Sequence, residues 1–261
     1  MDVTNRYVLD FCQSFAREHP GLPILDFGCG AGDLVAAGLA AGLSMSGADV
    51  YYGGSKSRDQ AEAHGLLGAV VHEIHDYHLP FADAHFGLIV NNQVMEHVED
   101  LDRVLVELHR VLAPAGLLLS VFPSRDVFRE GHIGIPFAHW FRKDSRARFY
   151  YTWALRSLGL GTWKQEAPSA RQWALDKLRW IDTYTRYRTR AGIFAAYGRY
   201  FRNETREIDY IRYRLLDRRG RARLVARCLV FAMRLRPVAA VARAIFRKLA
   251  FFVILSRKEQ P

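Results

Sequence analysis

The stretch ILDFGCGAGDL, residues 24–34, runs from apolar residues into three glycines and then into a helical pattern. This order is typical of a β-strand that turns into a helix in an open α/β sheet that binds a nucleotide. Glycines without Cβ atoms let a ligand lie against the turn, and the first helical turn offers free N–H groups. The stretch therefore predicts a ligand-binding bend after the first strand.

The spacing of residues within the bend limits which class of ligand it can bind. Asp33 stands near the place where the dinucleotide pattern G-x-G-x-x-G needs its third glycine after Gly28 and Gly30, which argues against a nicotinamide dinucleotide. Asp26 precedes the first glycine by two residues, and an acid there suits a ligand with an amino group. An ordinary glycine turn is the alternative interpretation.

Outward from the bend, the chain up to residue 123 alternates helical and strand-like patterns, as a parallel sheet with crossover helices requires. Beyond residue 123 the pattern becomes mainly helical and rich in Tyr, Trp and Arg. Strands are predicted at 22–28, 44–51, 68–74, 86–92, 116–123, 205–216 and 250–258, and helices at 5–18, 33–42, 56–64, 100–114, 144–158, 169–200 and 219–248.

Charge divides the chain into two unequal halves. Residues 1–139 hold 8 basic and 18 acidic side chains, a net charge of −10, whereas residues 140–261 hold 29 and 9, a net charge of +20. The basic half favours an anionic partner, such as a phosphorylated substrate, a nucleic acid or a membrane surface. A solvated basic surface without a partner is the alternative.

Cysteine spacing and the N-terminal sequence indicate the cellular compartment of the protein, and cysteine spacing also indicates whether it binds a metal. Cys12, Cys29 and Cys228 form neither a close pair nor a zinc-type cluster, so we predict a reduced compartment and no metal site. The first twenty residues lack the apolar run of a signal peptide. We therefore expect a cytoplasmic protein. Residues 237–255 are interrupted by basic residues, so they would lie on a membrane surface, if at all, and not span it.

Several motifs in one order resemble the class I S-adenosylmethionine-dependent methyltransferases. ILDFGCGAGDL is similar to the family's first motif, and GADVY at 47–51 to the end of its second strand. LPFADAHFGLIV at 79–90 resembles the entry to the fourth strand, and VMEHVEDLDRVLVELHRVLAPAG at 94–116 the E-H-V helix. The resemblance covers about 100 residues in the expected order, which makes it specific.

The resemblance implies a fold and a cofactor. The fold is a Rossmann-like doubly wound α/β sheet, mostly parallel with an antiparallel last strand, plus a helical insertion on the substrate side. It forms one domain, 1–261, with a cofactor-binding core at 1–123, a helical insertion at 124–204, and completing elements at 205–258. S-adenosylmethionine is implied as cofactor, held by Asp26, Gly28, Cys29, Gly30, Asp49, Val50, Asp76, Tyr77 and Asn91.

Two positions depart from the family pattern. Gly87 stands where the family has an aspartate after Phe, which touches no chemistry that we can name. His75 occupies the place of the family acid near the adenine amine, and Asp76 comes one residue later. Either residue could read the adenine, and Asp76 is the preferred candidate.

Three histidines are candidates for accepting a proton from a hydroxyl acceptor. Histidine suits that role near neutral pH, and His97, His132 and His139 follow strands four and five, where open α/β sheets bind ligands. Each has a structural alternative, since His97 could shape its loop and His139 could pack beside Trp140. Glu130 could orient either loop histidine.

These patterns predict methyl transfer from S-adenosylmethionine to a hydroxyl oxygen of a saccharide, lipid-linked glycan or other anionic small molecule. The tetrapeptide of many amino-group methyltransferases is missing after strand four, where residues 91–94 read NNQV. RNA methylation is the alternative among enzymes, and a regulatory subunit that binds the cofactor without catalysis is the alternative outside them. Peripheral contact with the inner face of the membrane, with no spanning helix, is also predicted.

Overall fold

The computed structural model describes residues 1–52, 56–217 and 221–259. These residues form a seven-stranded sheet in the order β3-β2-β1-β4-β5-β7-β6. The first five strands pair in parallel, and β7 is antiparallel to both of its neighbours, β5 and β6. The predicted Rossmann-like doubly wound sheet is therefore confirmed, including its antiparallel last strand.

The strands and helices alternate through the first half of the chain, as the sequence pattern predicts. The strands are β1 (Ile24–Phe27), β2 (Met45–Asp49), β3 (Val71–Glu73), β4 (Phe86–Asn92), β5 (Leu112–Phe122), β6 (Arg202–Thr205) and β7 (Phe252–Arg257). The helices are α1 (Val3–Glu18), α2 (Asp33–Ala40), α3 (Ser57–Ala63), α4 (Leu101–Val111), α5 (Arg146–Ser157), α6 (Ala170–Tyr184), α7 (Arg190–Tyr197), α8 (Glu207–Leu216), α9 (Arg221–Ala232) and α10 (Arg236–Leu249).

Both faces of the sheet are buried, which explains the continuous apolar runs of its strands. On β4, Leu88 and Val90 face one apolar cluster together with α1 residues, while Ile89 faces the other together with α4 residues. A third cluster lies in the insertion, around the fully buried Trp173. The sheet therefore provides a rigid floor, and the insertion has a small core of its own.

The predicted strand at 205–216 is wrong. The strand at this edge is β6, which ends at Thr205, and the residues that follow form α8. Acidic Glu207 and Asp209 lie in the first helical turn, where their negative charge interacts favourably with the positive end of the helix dipole. Tyr210 is buried against Tyr7 of α1, with 5.0 Å between the ring centres. Tyr210 and Tyr213 are three residues apart, so a helix places both on the face that packs against Tyr7 of α1.

Two long predicted helices are each interrupted. The segment at 169–200 divides into α6 and α7, since residues 185–189 are extended and Thr189 caps the second helix. The segment at 219–248 contains α9 and α10, with Pro237 at the start of the second. Residues 219–220 lie outside the described residues.

The helices α9 and α10 expose many apolar side chains. Within the described part of the chain, no helix is both long and apolar enough to cross a membrane. Peripheral membrane contact stays a prediction. In these two helices and the turn between them, the apolar side chains that are more than half exposed are Leu224, Val225, Phe231, Leu235, Val241, Ile245 and Leu249.

Candidate active site

The bend after β1 requires glycine at several positions. Gly28, Gly30 and Gly32 have φ angles of +76°, +55° and +82°, in the region that side chains other than glycine rarely adopt. A Cβ atom on Gly28 would also lie 2.3 Å from a Val94 methyl carbon. Backbone conformation and close packing together explain the glycines.

Asp49 at the end of β2 holds this bend in place. Its Oδ2 accepts a hydrogen bond from the Gly30 amide at 2.8 Å, and its Oδ1 accepts one from the Tyr51 amide at 3.0 Å. The Tyr51 hydroxyl donates back to the Gly30 carbonyl at 3.0 Å. Each carboxylate oxygen has a second lone pair, so Asp49 can still accept hydrogen bonds from the two hydroxyls of a ribose.

A cavity of about 380 Å³ opens beside the bend, and we call it the glycine-bend cavity. Its volume lies in the range of small-molecule sites. Five of the residues predicted to bind the cofactor line it: Gly28, Asp49, Val50, Asp76 and Tyr77. Its carboxylates are Asp49, Asp76, Glu99 and Glu107, and none of the described residues that line it is Lys or Arg. Three of the four pair with arginines outside the wall, namely Asp76 with Arg103, Glu99 with Arg186 and Glu107 with Arg110. Asp49 forms no ion pair with Lys or Arg among the described residues, so it is the carboxylate left to face a cationic ligand.

Of the two candidates for reading the adenine, Asp76 borders the glycine-bend cavity and His75 is not among its lining residues. Asp76 and Tyr77 have φ angles of +46° and +64°. Arg103 contacts both, with an ion pair of 3.2 Å to Asp76 and its guanidinium 4.5 Å from the centre of the Tyr77 ring. The acid therefore stands one residue later than in the family pattern, and it is Asp76 that lies at the cavity.

Four residues predicted to bind the cofactor do not line this cavity. Asp26 is buried at the end of β1, and burial, with the nearby charge of Asp49, raises the pKa of Asp26 to about 7. Asn91 is fully buried and donates to the Ser120 hydroxyl at 2.8 Å. Burial also raises the pKa of the Cys29 thiol. Gly30 contributes its amide to Asp49, and these four residues act within the fold that surrounds the cavity.

His97 and His132 come together in the structure, 5.1 Å apart between ring centres. His97 lines the glycine-bend cavity. His132 lines a second cavity of about 770 Å³, whose wall includes Trp163 and Trp180, and we call it the aromatic cavity. The two histidines therefore stand where the two cavities meet.

Glu130 orients His132 and not His139. It is fully buried, and its Oε1 lies 2.9 Å from Nδ1 of His132. Burial opposes ionisation of Glu130, but hydrogen bonds from His132, Tyr187 and the Ile133 amide outweigh it and hold the Glu130 pKa below its ordinary value. An ionised Glu130 accepts a hydrogen bond from Nδ1–H of His132, which leaves Nε2 of His132 as the basic nitrogen.

Glu96 was not predicted, and it lies beside the histidine pair. It is 1% exposed, and neither carboxylate oxygen has a hydrogen-bond partner among the described residues. Burial, with the nearby charge of Glu130, raises its pKa to about 8. A protonated Glu96 can donate a hydrogen bond to a ligand between the histidines. Its position directly before His97 was the only signal in the sequence.

The donor atoms of Glu96, His97 and His132 lie within 4.8 Å of one another, and Glu96 Oε1 is 4.0 Å from His97 Nε2. A tetrahedral metal ion with bonds of about 2.1 Å would bring ligand atoms to about 3.4 Å. His97 is also fixed by Nδ1, 2.7 Å from the Tyr184 carbonyl. The wider spacing suits a hydroxyl group between the side chains better than a metal ion.

His139 does not join the other two histidines. It is buried, and its Nε2 donates to the Arg125 carbonyl at 3.1 Å. Burial lowers the pKa of His139. Its ring lies 5.0 Å from the ring of Tyr187, whose hydroxyl reaches Glu130. His139 is therefore connected to His132 through Tyr187, on the far side of Glu130.

Sequence comparisons identify relatives that match part of the chain. Residues 25–120 match the family described as "Methyltransferase domain". The chain is 39% identical over 102 residues to "Methyltransferase GfsG" of Streptomyces halstedii, covering 38% of this chain and 36% of that protein. It is 34% identical over 116 residues to the ubiquinone biosynthesis O-methyltransferase of Chelativorans sp. strain BNC1, covering 42% and 44%. A C-methyltransferase of Vibrio vulnificus, UbiE, is 32% identical over 118 residues, with 42% and 44% covered.

The chain thus covers less than half the length of these curated relatives, and they include enzymes that methylate oxygen and carbon. Among solved structures, an S-adenosylmethionine-dependent methyltransferase from Mesorhizobium loti superposes with a TM-score of 0.53 at 19% identity. That match covers 95% of this chain and 96% of the other. At this identity the likeness concerns the fold, including the insertion and the last strands.

Proposed function

Given that this chain belongs to the class I S-adenosylmethionine-dependent methyltransferases, we propose that it methylates a hydroxyl oxygen of a saccharide, a lipid-linked glycan or another anionic small molecule. The observation that supports this most is the meeting of the glycine-bend cavity and the aromatic cavity at His97 and His132. A methyl donor in one cavity and an acceptor in the other would face each other there.

The glycine-bend cavity would hold S-adenosylmethionine, which would supply a methyl group activated by its sulfonium. The acceptor oxygen would attack the methyl carbon in line, and S-adenosylhomocysteine would leave as the bond between sulfur and the methyl carbon breaks. Asp49 would accept hydrogen bonds from the ribose hydroxyls. Asp26 lies close enough to Asp49 for the charge of Asp49 to contribute to the raised pKa of Asp26. An ammonium group near Asp26 would favour its ionised form. The Asp49 carboxylate would also stabilise the cationic cofactor.

His132 is the proposed proton acceptor. Glu130 holds Nδ1–H, so Nε2 can take the proton of the acceptor hydroxyl and Glu130 then stabilises the imidazolium. Burial lowers the pKa of His97, so His97 stays neutral and orients the hydroxyl. His139 has no direct contact with this pair and is proposed to support Tyr187.

The aromatic cavity supports a saccharide or a similar acceptor. Trp163 and Trp180 expose large flat faces, at 61% and 38% exposure, and the Trp180 ring lies 5.1 Å from the His132 ring. Sugar rings and other flat apolar groups stack on such faces. The acceptor hydroxyl would then lie next to His132.

Calorimetry with S-adenosylmethionine, followed by release of S-adenosylhomocysteine against a panel of saccharides, sugar phosphates and RNA, tests the proposal. We expect cofactor binding and turnover with a hydroxyl-bearing anionic acceptor, and mass spectrometry of the product identifies the methylated atom. Product only with RNA would favour the alternative enzyme, a methylated carbon would place the chain with the C-methyltransferases, and binding without turnover would favour a regulatory subunit.

The His132→Ala variant tests the catalytic assignment. Loss of a positioned base lowers turnover by roughly 10²- to 10⁴-fold, while cofactor affinity should stay unchanged. The exposed His64→Ala variant serves as control. Unchanged turnover in His132→Ala would remove His132 as the base, and loss of cofactor binding would make its role structural.

A further inference from the structure

A third cavity, of about 420 Å³, lies between the loop after β5 and the segment that joins α6 to α7. We call it the basic cavity. Six basic side chains line it against a single carboxylate, that of Asp182. The six are Arg125, Arg142, Lys143, Arg148, Arg186 and Arg188.

Only part of this positive charge is neutralised by the protein. Arg148 is buried and pairs with Asp182 at 2.6 Å, and Arg186 pairs with Glu99 at 3.4 Å. Within residues 1–52, 56–217 and 221–259, Arg125, Arg142, Lys143 and Arg188 form no salt bridge with a carboxylate. Four like charges around one small cavity repel one another, so an anion bound among them would be stabilised.

Arg188 and His139 show how this wall is built. Arg188 is half-buried and donates to the Met95 and Val98 carbonyls, and burial lowers its pKa. His139 is 7% exposed, and its Nδ1 is buried without a partner among the described residues. A hydroxyl of a bound ligand would satisfy that nitrogen.

The chemistry of the wall selects a phosphorylated small molecule. Guanidinium groups bind phosphate oxygens in pairs, and five of the six basic residues are arginines. The volume accommodates a phosphate or diphosphate with part of a sugar, whereas a nucleic-acid strand binds along an extended groove with stacked bases. We propose that the basic cavity binds the phosphate or diphosphate group of a small molecule, which under the proposed function is the methyl acceptor.

The segment 185–188 connects this cavity to the catalytic side chains. The Arg186 amide donates to the Glu96 carbonyl at 2.6 Å, next to His97. Tyr187 lines the basic cavity and hydrogen-bonds Glu130, which orients His132. An anion that ordered this segment would therefore also order the proton acceptor.

Calorimetric titration of the full chain with pyrophosphate tests the inference. We expect binding in wild type and a weakening of at least about tenfold in the double variant Arg142→Gln, Lys143→Gln, because two mouth charges are removed. The control double variant Arg171→Gln, Arg179→Gln removes two exposed arginines of α6 and should change the affinity less than about twofold. Arg142→Lys should be intermediate, because it keeps the charge and loses the paired contacts.

Melting temperature and S-adenosylmethionine affinity of each variant show that it is folded. Pyrophosphate binding that is absent in wild type, or that weakens equally in the control variant, overturns the inference. A short RNA that binds more tightly than pyrophosphate and depends on the same residues would overturn it in favour of nucleic acid. Pyrophosphate binding in a protein that does not bind S-adenosylmethionine would retain this site and reject the proposed function instead.

Discussion

The glycine-bend cavity and the basic cavity carry opposite charge although they share a boundary. Four carboxylates line the first, and six basic side chains line the second. The boundary runs through the ion pair between Glu99 and Arg186, which line one cavity each. The two charged halves of the sequence therefore meet at one place in the fold.

Under the two proposals above, this difference would separate a cationic ligand from an anionic one before they react. Attraction of each ligand to its own wall would help to orient the two, and each wall would repel the other ligand. The histidine pair lies between the two, in a region where burial keeps His97 neutral by lowering its pKa. Under the proposed function, the opposite walls would orient the two ligands, and the chemistry would occur at the histidine pair between them.

The largest expected effect comes from removing the Asp49 carboxylate, which lines the glycine-bend cavity. Asp49→Asn should raise the dissociation constant for S-adenosylmethionine about 100-fold or more, because an amide has one acceptor oxygen and no charge. Calorimetry measures it, with Asp59→Asn on α3 as the control. A change of less than about threefold in Asp49→Asn would show that acidity at this position is not what holds the cofactor.

Shape can be separated from charge with a pair of glycine substitutions. Gly28→Ala should lower the free energy of unfolding by about 3 kcal/mol, because the Cβ meets Val94 in addition to the strained φ angle. Gly21→Ala has a similar φ of +82° with nothing within 4 Å, and should cost about 1 kcal/mol. Urea denaturation measures both values. Equal values would mean that contact with Val94 does not define the bend.

The pH dependence of stability tests whether Glu96, beside the histidine pair, is protonated in the folded protein. Its folded pKa of about 8 lies above the ordinary value of 4.5, so the folded protein binds an extra proton, and the resulting stability is lost as pH rises toward 8. Between about pH 5.5 and about pH 7.5, Glu96 should contribute a loss of about 2.5 kcal/mol.

Glu96→Gln should remove that part of the slope, as measured by urea denaturation at both pH values. Asp26, with its pKa raised to about 7 by burial and by Asp49, leaves a slope of the same sign in both proteins. Glu62→Gln on the exposed face of α3 is the matched control. An unchanged slope in Glu96→Gln would indicate that Glu96 is already ionised in the folded protein across this pH range.

Salt should act differently on the two cavities. Raising ionic strength from about 0.05 M to about 0.5 M should weaken pyrophosphate binding about tenfold, since the mouth of the basic cavity is exposed and its charges are screened. S-adenosylmethionine binding should change less than about threefold, because Asp49 is partly buried and its charge is therefore screened less by salt. Equal salt dependence would contradict the assignment of opposite roles.

The smallest expected effect concerns the exposed helices. Residues 218–258 contain twelve Lys and Arg and no Asp or Glu. Flotation with anionic and neutral vesicles should show a preference of roughly threefold to tenfold for the anionic ones. The variant Leu235→Ser, Leu249→Ser should lose it, and Leu158→Ser, at an equally exposed position of the insertion, should not. No difference between the vesicles would exclude anionic lipid as a partner of this face.

Local patterns predicted the cofactor half of the molecule well. The glycine bend, the acid at the end of β2 and the apolar runs follow from neighbours in sequence, because backbone conformation and strand burial are local constraints. The error at 205–216 has the opposite cause. The apolar and aromatic residues of this segment fit neither period cleanly, and the packing of Tyr210 and Tyr213, at i and i+3, against Tyr7 is a contact between segments about 200 residues apart.

The grouping of the catalytic candidates was also beyond local patterns. His97, His132 and His139 were all candidates in the sequence, each with a structural alternative, whereas the fold brings the first two together and packs the third against Tyr187. Apart from its position directly before His97, Glu96 gave no signal, because a buried, unpartnered carboxyl group is recognised only by what surrounds it. The basic cavity joins residues 125, 142 and 188, which no sequence window contains.

The sequence by itself determined the class of sheet, the place of its ligand-binding bend and the opposite charges of its two halves, since each depends on residue types at short spacing. Only the tertiary structure decided which charges face each other, which histidine has a buried carboxylate behind it and where two cavities meet. Those properties depend on distances between segments far apart in the chain, and chain folding alone sets such distances.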